Sequence, residues 1–475
     1  MFERRDIKEQ EIRFLAGEFK KHPELFAPSR FIEDKQALEK FGIYIPGKED
    51  CPKGYLKLWP QDFIVEEIAS NDETQTVYRQ DLGLLQGDAL QGATIYVMLV
   101  KAGLSTIEAV QDMTRLLKCD PTAIQFGGIK DKDAITGQRI SIRGIPWSQI
   151  QDVSSPYFFL KNGSVGKGVV QTGDLKGNTF TILVRIPDAL DSDWLTERIE
   201  RVGRDGFYNF FYLQRFGTPR LINYYWGICI LVGNYKEAVH SFLTTVTERE
   251  SPYFQKIREA IRDEFGRWGS ICDILKPFPL AFQNEFKIAS YLENHPDDYV
   301  GALRAIPEQI TLWVFAVSSL LFNKRISQYL NDNREVPDRI PLFLSRDPED
   351  WRQYEPFLKE FHLFPPDFNN LRPFPNILLR KRFIQTKARA DIHKMRILKE
   401  GVALTFSLSK GMYATTFLAH LFNLISGKPP ETIDDTPIDI KAELGEPPLA
   451  ETIAYFNGIL HAKTENLLEK LTQSE

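Results

Sequence analysis

Phe126-Gly127-Gly128-Ile129-Lys130-Asp131-Lys132-Asp133-Ala134-Ile135-Thr136-Gly137-Gln138 sets one carboxylate among cations at the end of a glycine-bearing turn. Gly127 and Gly128 are expected to supply conformations with positive φ, and Ile140 and Ile142 then alternate with Ser141 and Arg143 as a strand would. Asp131 is therefore expected between a turn and a strand. Lys130 and Lys132 flank it, and nearby positive charge favours the ionised carboxylate, so the aspartate should be an anion at neutral pH, able to act as nucleophile or base. Taken alone, the segment reads more readily as a solvated hairpin turn carrying ordinary surface charge. The rest of the chain shifts that balance.

A chain of 475 residues exceeds the size at which a single core usually stops growing, so two domains with appendages are expected. Hydrophobic residues at 43% and charged residues at 26% are ordinary for a soluble globular protein. The aromatic share, 12% with 34 Phe and 17 Tyr, serves mainly a large core but also offers rings on which bases can stack. A formal charge of −5 argues against a surface coated in positive potential, so a nucleic-acid partner would meet a local patch. Cys51, Cys119, Cys229 and Cys272 are far apart and form no Cys-x-x-Cys pair, which suggests neither a disulfide framework nor a zinc knuckle and fits a reducing cytoplasm. The first ten residues are charged throughout and lack the apolar core of a secretory signal. The apolar patch 310–317 runs into Ser318 and Ser319 and reads as a buried helix, so no membrane association is expected.

Along the chain, residues 1–50 suggest a short helical extension ending at Pro46-Gly47-Lys48. Strands are expected over 54–68 and 95–100, with Phe63 and Val65 alternating against Asp62 and Ile64, and a helix over 105–117. The turn cluster 173–178 leads into a strand over 179–186 ended by Pro187, and a helix follows over 193–204. Residues 209–220 gather Phe210, Phe211, Tyr212 and Phe216 around Gln214 and Arg215. From 234 to 387 the chain turns helical and rich in Phe, Leu and Trp, and strand-like alternation resumes only at 402–408, as an inserted second domain would require. Arg380, Lys381, Arg382, Lys387, Arg389, Lys394, Arg396 and Lys399 form a basic run that reads either as a solvated helix face or as a phosphate-contacting surface. The acidic tail, with a terminal helix over 450–471, is either a solvated appendage or a self-interacting arm.

Five segments, in order, resemble the TruD family of tRNA pseudouridine synthases. Asp62-Phe63-Ile64-Val65-Glu66-Glu67 is similar to its Asp-Phe-x-Val-x-Glu motif, and the segment from Gly128 to Gln138 resembles its catalytic Gly-x-Lys-Asp-x-x-Ala-x-Thr-x-Gln. Gly173-Asp174-Leu175-Lys176-Gly177-Asn178-Thr179-Phe180 matches Gly-x-Leu-x-Gly-Asn-x-Phe, and the segment from Asn209 to Gly217 matches Asn-Tyr-Phe-Gly-x-Gln-Arg-Phe-Gly. Leu408-Ser409-Lys410-Gly411-Met412-Tyr413-Ala414-Thr415 resembles Leu-Pro-Lys-Gly-Ser-Tyr-Ala-Thr. Tyr212, Ser409 and Met412 depart from the family's usual glycine, proline and serine; Tyr212 matters most, because its ring could narrow a pocket beside Phe211. The resemblance implies an α+β fold: a pseudouridine-synthase-like catalytic domain with a mixed, mainly antiparallel sheet over 51–233 and 388–428, an inserted, largely helical TRUD domain over 234–387, an N-terminal helical extension over 1–50 and an acidic C-terminal extension over 429–475.

It also implies the chemistry. Uracil leaves C1′ of the ribose, turns within the pocket and rejoins through C5, a reaction that needs neither cofactor nor metal. Asp131 is the implied catalytic carboxylate, acting on the sugar as nucleophile or on the C2′ proton as base. Phe211 is implied to receive the unstacked base, with Phe63 and Phe216 as further lining; Asn209 would read the uracil edge. Lys130 or Arg215 would hold the carboxylate ionised, Glu67 would partner one of those cations, and Lys410 and Tyr413 would pack back toward the cleft. The basic run from Arg380 to Arg396 is the expected grip on RNA, with tRNA at position 13 of the D-arm as the implied target and no obligate protein partner. Two competing readings are a non-catalytic RNA-binding or RNA-folding protein, and a glycosidase-like hydrolase pairing Asp131 with Asp133 or Glu67.

Overall fold

In the computed structural model, which describes residues 4–27, 29–79 and 94–473, the chain forms two compact units. One, the sheet unit, comprises residues 50–207 and 388–465; the other, the helical unit, comprises 1–49, 208–387 and 466–475. The first crossing thus falls at 207/208 where the sequence pattern put it at 233/234, because the helix Asn223–Leu231 packs inside the helical unit through Trp226 against Trp313. Residues 1–49 belong to that same unit, and most of the C-terminal tail belongs to the sheet unit.

The sheet unit is α+β, built on one mixed, mainly antiparallel sheet. Leu175–Arg185 runs through it antiparallel to Lys53–Leu56, Phe63–Ala69 and Gly401–Ser409. Phe63–Ala69 pairs in parallel with Ile135–Arg143, which is joined antiparallel by Thr94–Lys101 and, beyond it, Phe158–Gly166. The simple wet-face alternation expected for Phe63–Ala69 is absent: every residue from Phe63 to Glu67 is buried, as befits a strand covered on both faces. One face carries the helix Thr106–Leu117, whose Ala109, Val110 and Met113 cluster with Ile95, Val97, Leu99, Ile140 and Ile142. Ser105 starts that helix with a capping box, accepting from Glu108 N while its own N–H donates to the Glu108 carboxylate. Residues including Ile64, Val100, Ile135 and Leu183 pack instead with Ile440, Leu444, Leu449 and Phe456. The tail is therefore a self-interacting arm that supplies core.

Two motif glycines are required by close approach. A Cβ on Gly137 would lie 2.1 Å from the Gln75 carbonyl oxygen, and one on Gly177 would lie 2.1 Å from that of Leu408. The expected terminal helix over 450–471 is two helices, Ala450–Phe456 and Leu467–Gln473, with Asn457-Gly458, weak helix formers, at the break. The strand expected from 179 begins at Leu175, since Gly177 and Asn178 pair with Ser409 and Leu408.

The helical unit packs around Trp313 on the helix Pro307–Asn331, wholly buried with Trp226 and Phe242 ring centroids each 4.9 Å away. The apolar patch 310–317 lies within that helix, and among the described residues no helix is long and apolar enough to cross a membrane.

A buried ion pair helps fasten the arm to the sheet, its lysine also meeting Glu446 of the arm at 3.3 Å. Lys441 Nζ lies 2.8 Å from Glu66 Oε2, both side chains 4% exposed, and Glu66 Oε1 accepts from Val77 N. Lys441→Ala strands that carboxylate and is expected to cost about 3–5 kcal/mol in denaturant unfolding, whereas Glu66→Leu with Lys441→Leu should cost far less. Similar losses for the two proteins would refute the pairing as the cause.

Candidate active site

The parallel register sets Ile64 opposite Ile135, so the residues preceding Phe63 and those preceding Ile135 enter the sheet from the same end. That brings Lys57 to Asp131. The Lys57 ammonium forms an ion pair with Asp131 Oδ2 and lies 4.4 Å from the Phe63 ring centroid. Asp131 Oδ1 accepts from Asp133 N at 3.2 Å. The aspartate side chain stays 36% exposed, open to a ligand on one side. Burial pushes the Asp131 carboxyl upward, but the charge and hydrogen bond of Lys57, the Asp133 N–H and the charge of Lys101 outweigh it and hold the group below the usual carboxylate range.

Lys130 is not the cation on Asp131, as the sequence allowed. Neighbouring residues of an extended segment face opposite ways, and Lys130 turns inward, its Nζ 2.7 Å from Glu67 Oε2 with both side chains buried. Glu67 Oε1 accepts from Arg139 N at 3.2 Å. Glu67 is thus the partner of a cation, as expected, and has no surface to offer as a second carboxylate of a glycosidase. Thr106 Oγ1 accepts from Lys130 N at 2.8 Å and donates to Gln138 Oε1 at 2.8 Å, while Gln138 Nε2 donates to the Gly128 carbonyl at 3.1 Å. The loop is held by these bonds rather than by special glycine conformations: neither Gly127 nor Gly128 has positive φ.

Gly173 N donates to the Gly127 carbonyl at 2.7 Å, and Lys410 Nζ lies 3.4 Å from the Gly173 carbonyl oxygen. Lys410 is in this way joined to the Asp131 loop through one residue. Tyr413 is 40% exposed at the start of the helix Ala414–Ala419.

In the helical unit, Phe211 is half-buried, its ring edge-on to Phe322 at 5.3 Å with the Arg215 guanidinium 5.3 Å from its centroid. Its backbone is pinned by Asn323, whose Oδ1 accepts from Phe211 N and whose Nδ2 donates to Phe211 O. Tyr212 does not crowd this ring: its side chain is buried, and its hydroxyl donates to Glu33 Oε2 at 2.5 Å. Asn209 is buried, with Nδ2 donating to the Gln385 carbonyl at 3.0 Å, which commits that donor to the backbone. Phe216 is wholly buried beside Phe41 and Tyr224, so it is core and not pocket lining.

The basic run is not a helix face. It is divided among the strands Phe383–Gln385, Lys387–Ala388 and Asp391–Leu398, and several of its cations are paired. Lys381 Nζ lies 2.8 Å from Asp347, Lys394 3.7 Å from Glu446 and Arg396 3.4 Å from Glu443. The acidic tail thus covers charge on the edge strand Asp391–Leu398. Arg380, Arg382, Lys387 and Arg389 are exposed and have no carboxylate within ion-pair distance among the described residues.

Lys57 and Lys101 escaped the sequence reading. The signal for Lys57 was its place just ahead of the Asp62-Phe63 motif; Lys101, at a strand end, resembles any surface lysine. Among the described residues no group of three or more His, Cys, Asp or Glu is arranged to hold a metal ion.

The family model for tRNA pseudouridine synthase D (TruD) matches residues 42–341, more than half of the chain. This chain belongs to the TruD family. A Methanopyrus kandleri protein named as a tRNA pseudouridine synthase D is 29% identical over 356 residues, 68% of this chain and 84% of that one. A Methanosarcina mazei protein of the same name is 27% identical over 61% of this chain and 64% of its own length. The crystal structure of a tRNA pseudouridine synthase D from Methanosarcina mazei superposes with a TM-score of 0.59 at 22% identity, covering 81% of this chain and 97% of that one, and the two share the fold.

Lys57→Met removes the counter-charge while leaving the burial that raises the Asp131 carboxyl. Protonation of Asp131 should then set in at higher pH than in the parent, as read by carbon NMR of the labelled carboxyl. An unmoved titration would show that Lys57 does not control this group.

Proposed function

We propose that this chain isomerises a uridine of tRNA to pseudouridine, at position 13 of the D-arm, with Asp131 as the catalytic carboxylate. The observation that carries the reading is the partly exposed Asp131 carboxylate, kept ionised by Lys57 in the loop that resembles the family's catalytic segment. The reaction breaks the C1′–N1 bond, forms C1′–C5, and moves the C5 proton to N1, so nothing is oxidised and no group is imported. An anion beside the sugar suffices, as nucleophile at the ribose or as base at C2′. Lys57 keeps it anionic, and Lys130 with Glu67 keeps the main chain beside it fixed.

Phe211 is the proposed receiver of the unstacked base. Its half-buried ring, with backbone fixed by Asn323 and a guanidinium close by, has the properties of a stacking platform. The exposed Arg380, Arg382, Lys387 and Arg389 are the proposed phosphate contacts, narrower than the full basic run because Lys381, Lys394 and Arg396 already have carboxylate partners. The proposed setting is the cytoplasm, which the four free thiols suit.

The deciding experiment incubates the chain with a tRNA transcript and reads the uridine that becomes carbodiimide-reactive in an alkali-resistant way. Asp131→Asn is expected to abolish the signal while leaving RNA binding in place; signal surviving the substitution defeats the assignment.

Phe211→Ala should lower turnover by the equivalent of about 1–3 kcal/mol and change RNA affinity less, because one stacked base contributes little beside the phosphate contacts. Equal losses in turnover and affinity would contradict the stacking role.

A further inference from the structure

Lys101 ends the strand Thr94–Lys101, is wholly buried and takes no part in the chemistry proposed above. A lysine at such a position commonly extends its head to water. This one turns its ammonium beneath the Asp131 loop. Its Nζ donates to the backbone carbonyl oxygens of Asp131 at 2.7 Å, Leu104 at 2.9 Å and Lys130 at 3.4 Å. Gly103 N donates to the next carbonyl along, that of Lys132, at 3.2 Å. Three consecutive carbonyls of the loop are therefore gripped by the short segment 101–103.

The protonation state of this group decides whether the grip holds. An ammonium has three N–H donors and no acceptor, and here it faces three carbonyl oxygens. A neutral amine keeps two N–H donors and gains a lone pair that must point at one of those oxygens. We propose that Lys101 is the positioning residue of the Asp131 site: its ammonium clamps the main chain at 130 and 131 so that the carboxylate stays presented beside Lys57, and loss of its proton releases the clamp. The inference rests on the assignment of Asp131 as the reacting carboxylate.

The surroundings make that proton removable. Burial is the largest influence and pushes the Lys101 ammonium down to about 7; Lys130 acts in the same direction, while Asp131, Glu108 and Asp133 oppose it. Among the described residues those are the charged groups that act on it most, from the loop and from the helix Thr106–Leu117; its partners on the adjoining strands, Thr136 and Phe158, carry no charge. The clamp is therefore closed on the acid side of that value and opens as pH rises through it. Asp131, held below the usual carboxylate range, stays ionised over the same interval.

The test is single-turnover conversion of a tRNA transcript between about pH 5.5 and 8.5, a range that brackets a neutral-region titration. The parent rate should fall with a one-proton dependence as pH rises. Lys101→Met should bind the transcript as the parent does, convert it roughly a hundredfold more slowly at the acid end, as misplacement of a reacting group by about an ångström would cause, and show no further fall with pH. A level parent profile, a Lys101→Met protein with the parent rate, or one that keeps the same alkaline fall overturns the inference. The parent profile needs no variant, so the outcome stands even where Lys101→Met fails to fold. Conversion surviving Asp131→Asn would instead overturn the reading on which the inference rests.

Discussion

The parallel pairing of Phe63–Ala69 with Ile135–Arg143 is the constraint from which the site follows. Parallel strands begin at the same end of a sheet, so the segments that lead into them are neighbours there whatever their separation along the chain. That places Lys57 on Asp131 and, one residue earlier and on the opposite side of the main chain, Lys130 on Glu67. A slip of one residue would exchange inward and outward side chains and undo both pairs. Ile64 and Ile135, both wholly buried, would lose their fitted places in the core on such a slip, as the buried Lys130 and Glu67 would lose each other.

Lys57, Lys130 and Lys101 do different work near Asp131 because their burial and their partners differ. Lys57 keeps some exposure and directs its charge at the carboxylate itself. Lys130 is paired inside the sheet with Glu67, so its charge is balanced and its main contribution is geometric. Lys101 has no carboxylate within ion-pair distance among the described residues and donates to carbonyl oxygens, an arrangement in which burial weakens the charged form that the oxygens require. The C-terminal arm follows the same electrostatic logic at larger scale: Lys441 pairs with Glu66 in the interior, while Glu443 and Glu446 lie against Arg396 and Lys394 at the sheet edge. The net negative charge of the chain thus coexists with exposed cations that have no carboxylate within ion-pair distance among the described residues.

The Asp131 loop, the strands around it and the helix capped by Ser105 were legible in the sequence because each rests on local chemistry, a capping box, a β-branched run or a turn. The faces of the sheet were less legible. Strands covered on both sides lose the two-residue alternation, and the cover on one side comes from Ile440, Leu444 and Leu449, more than 250 residues beyond Leu183 on the sheet. The basic run shows the opposite failure: its composition was plain, but which cations stay available depends on Asp347, Glu443 and Glu446, partners distant in sequence.

The sequence by itself determined the α+β class and the family and singled out Asp131 for the carboxylate role proposed here, since ordered motifs and local patterning are properties of the linear chain. Only the tertiary structure decided which lysine meets Asp131, that Phe216 belongs to the core, that the Tyr212 side chain is buried against Glu33, and that most of the tail is part of the sheet unit. Those outcomes depend on which side of the main chain a residue faces and on what distant segment covers it. Burial and charge pairing of that kind come into being only when the chain closes on itself.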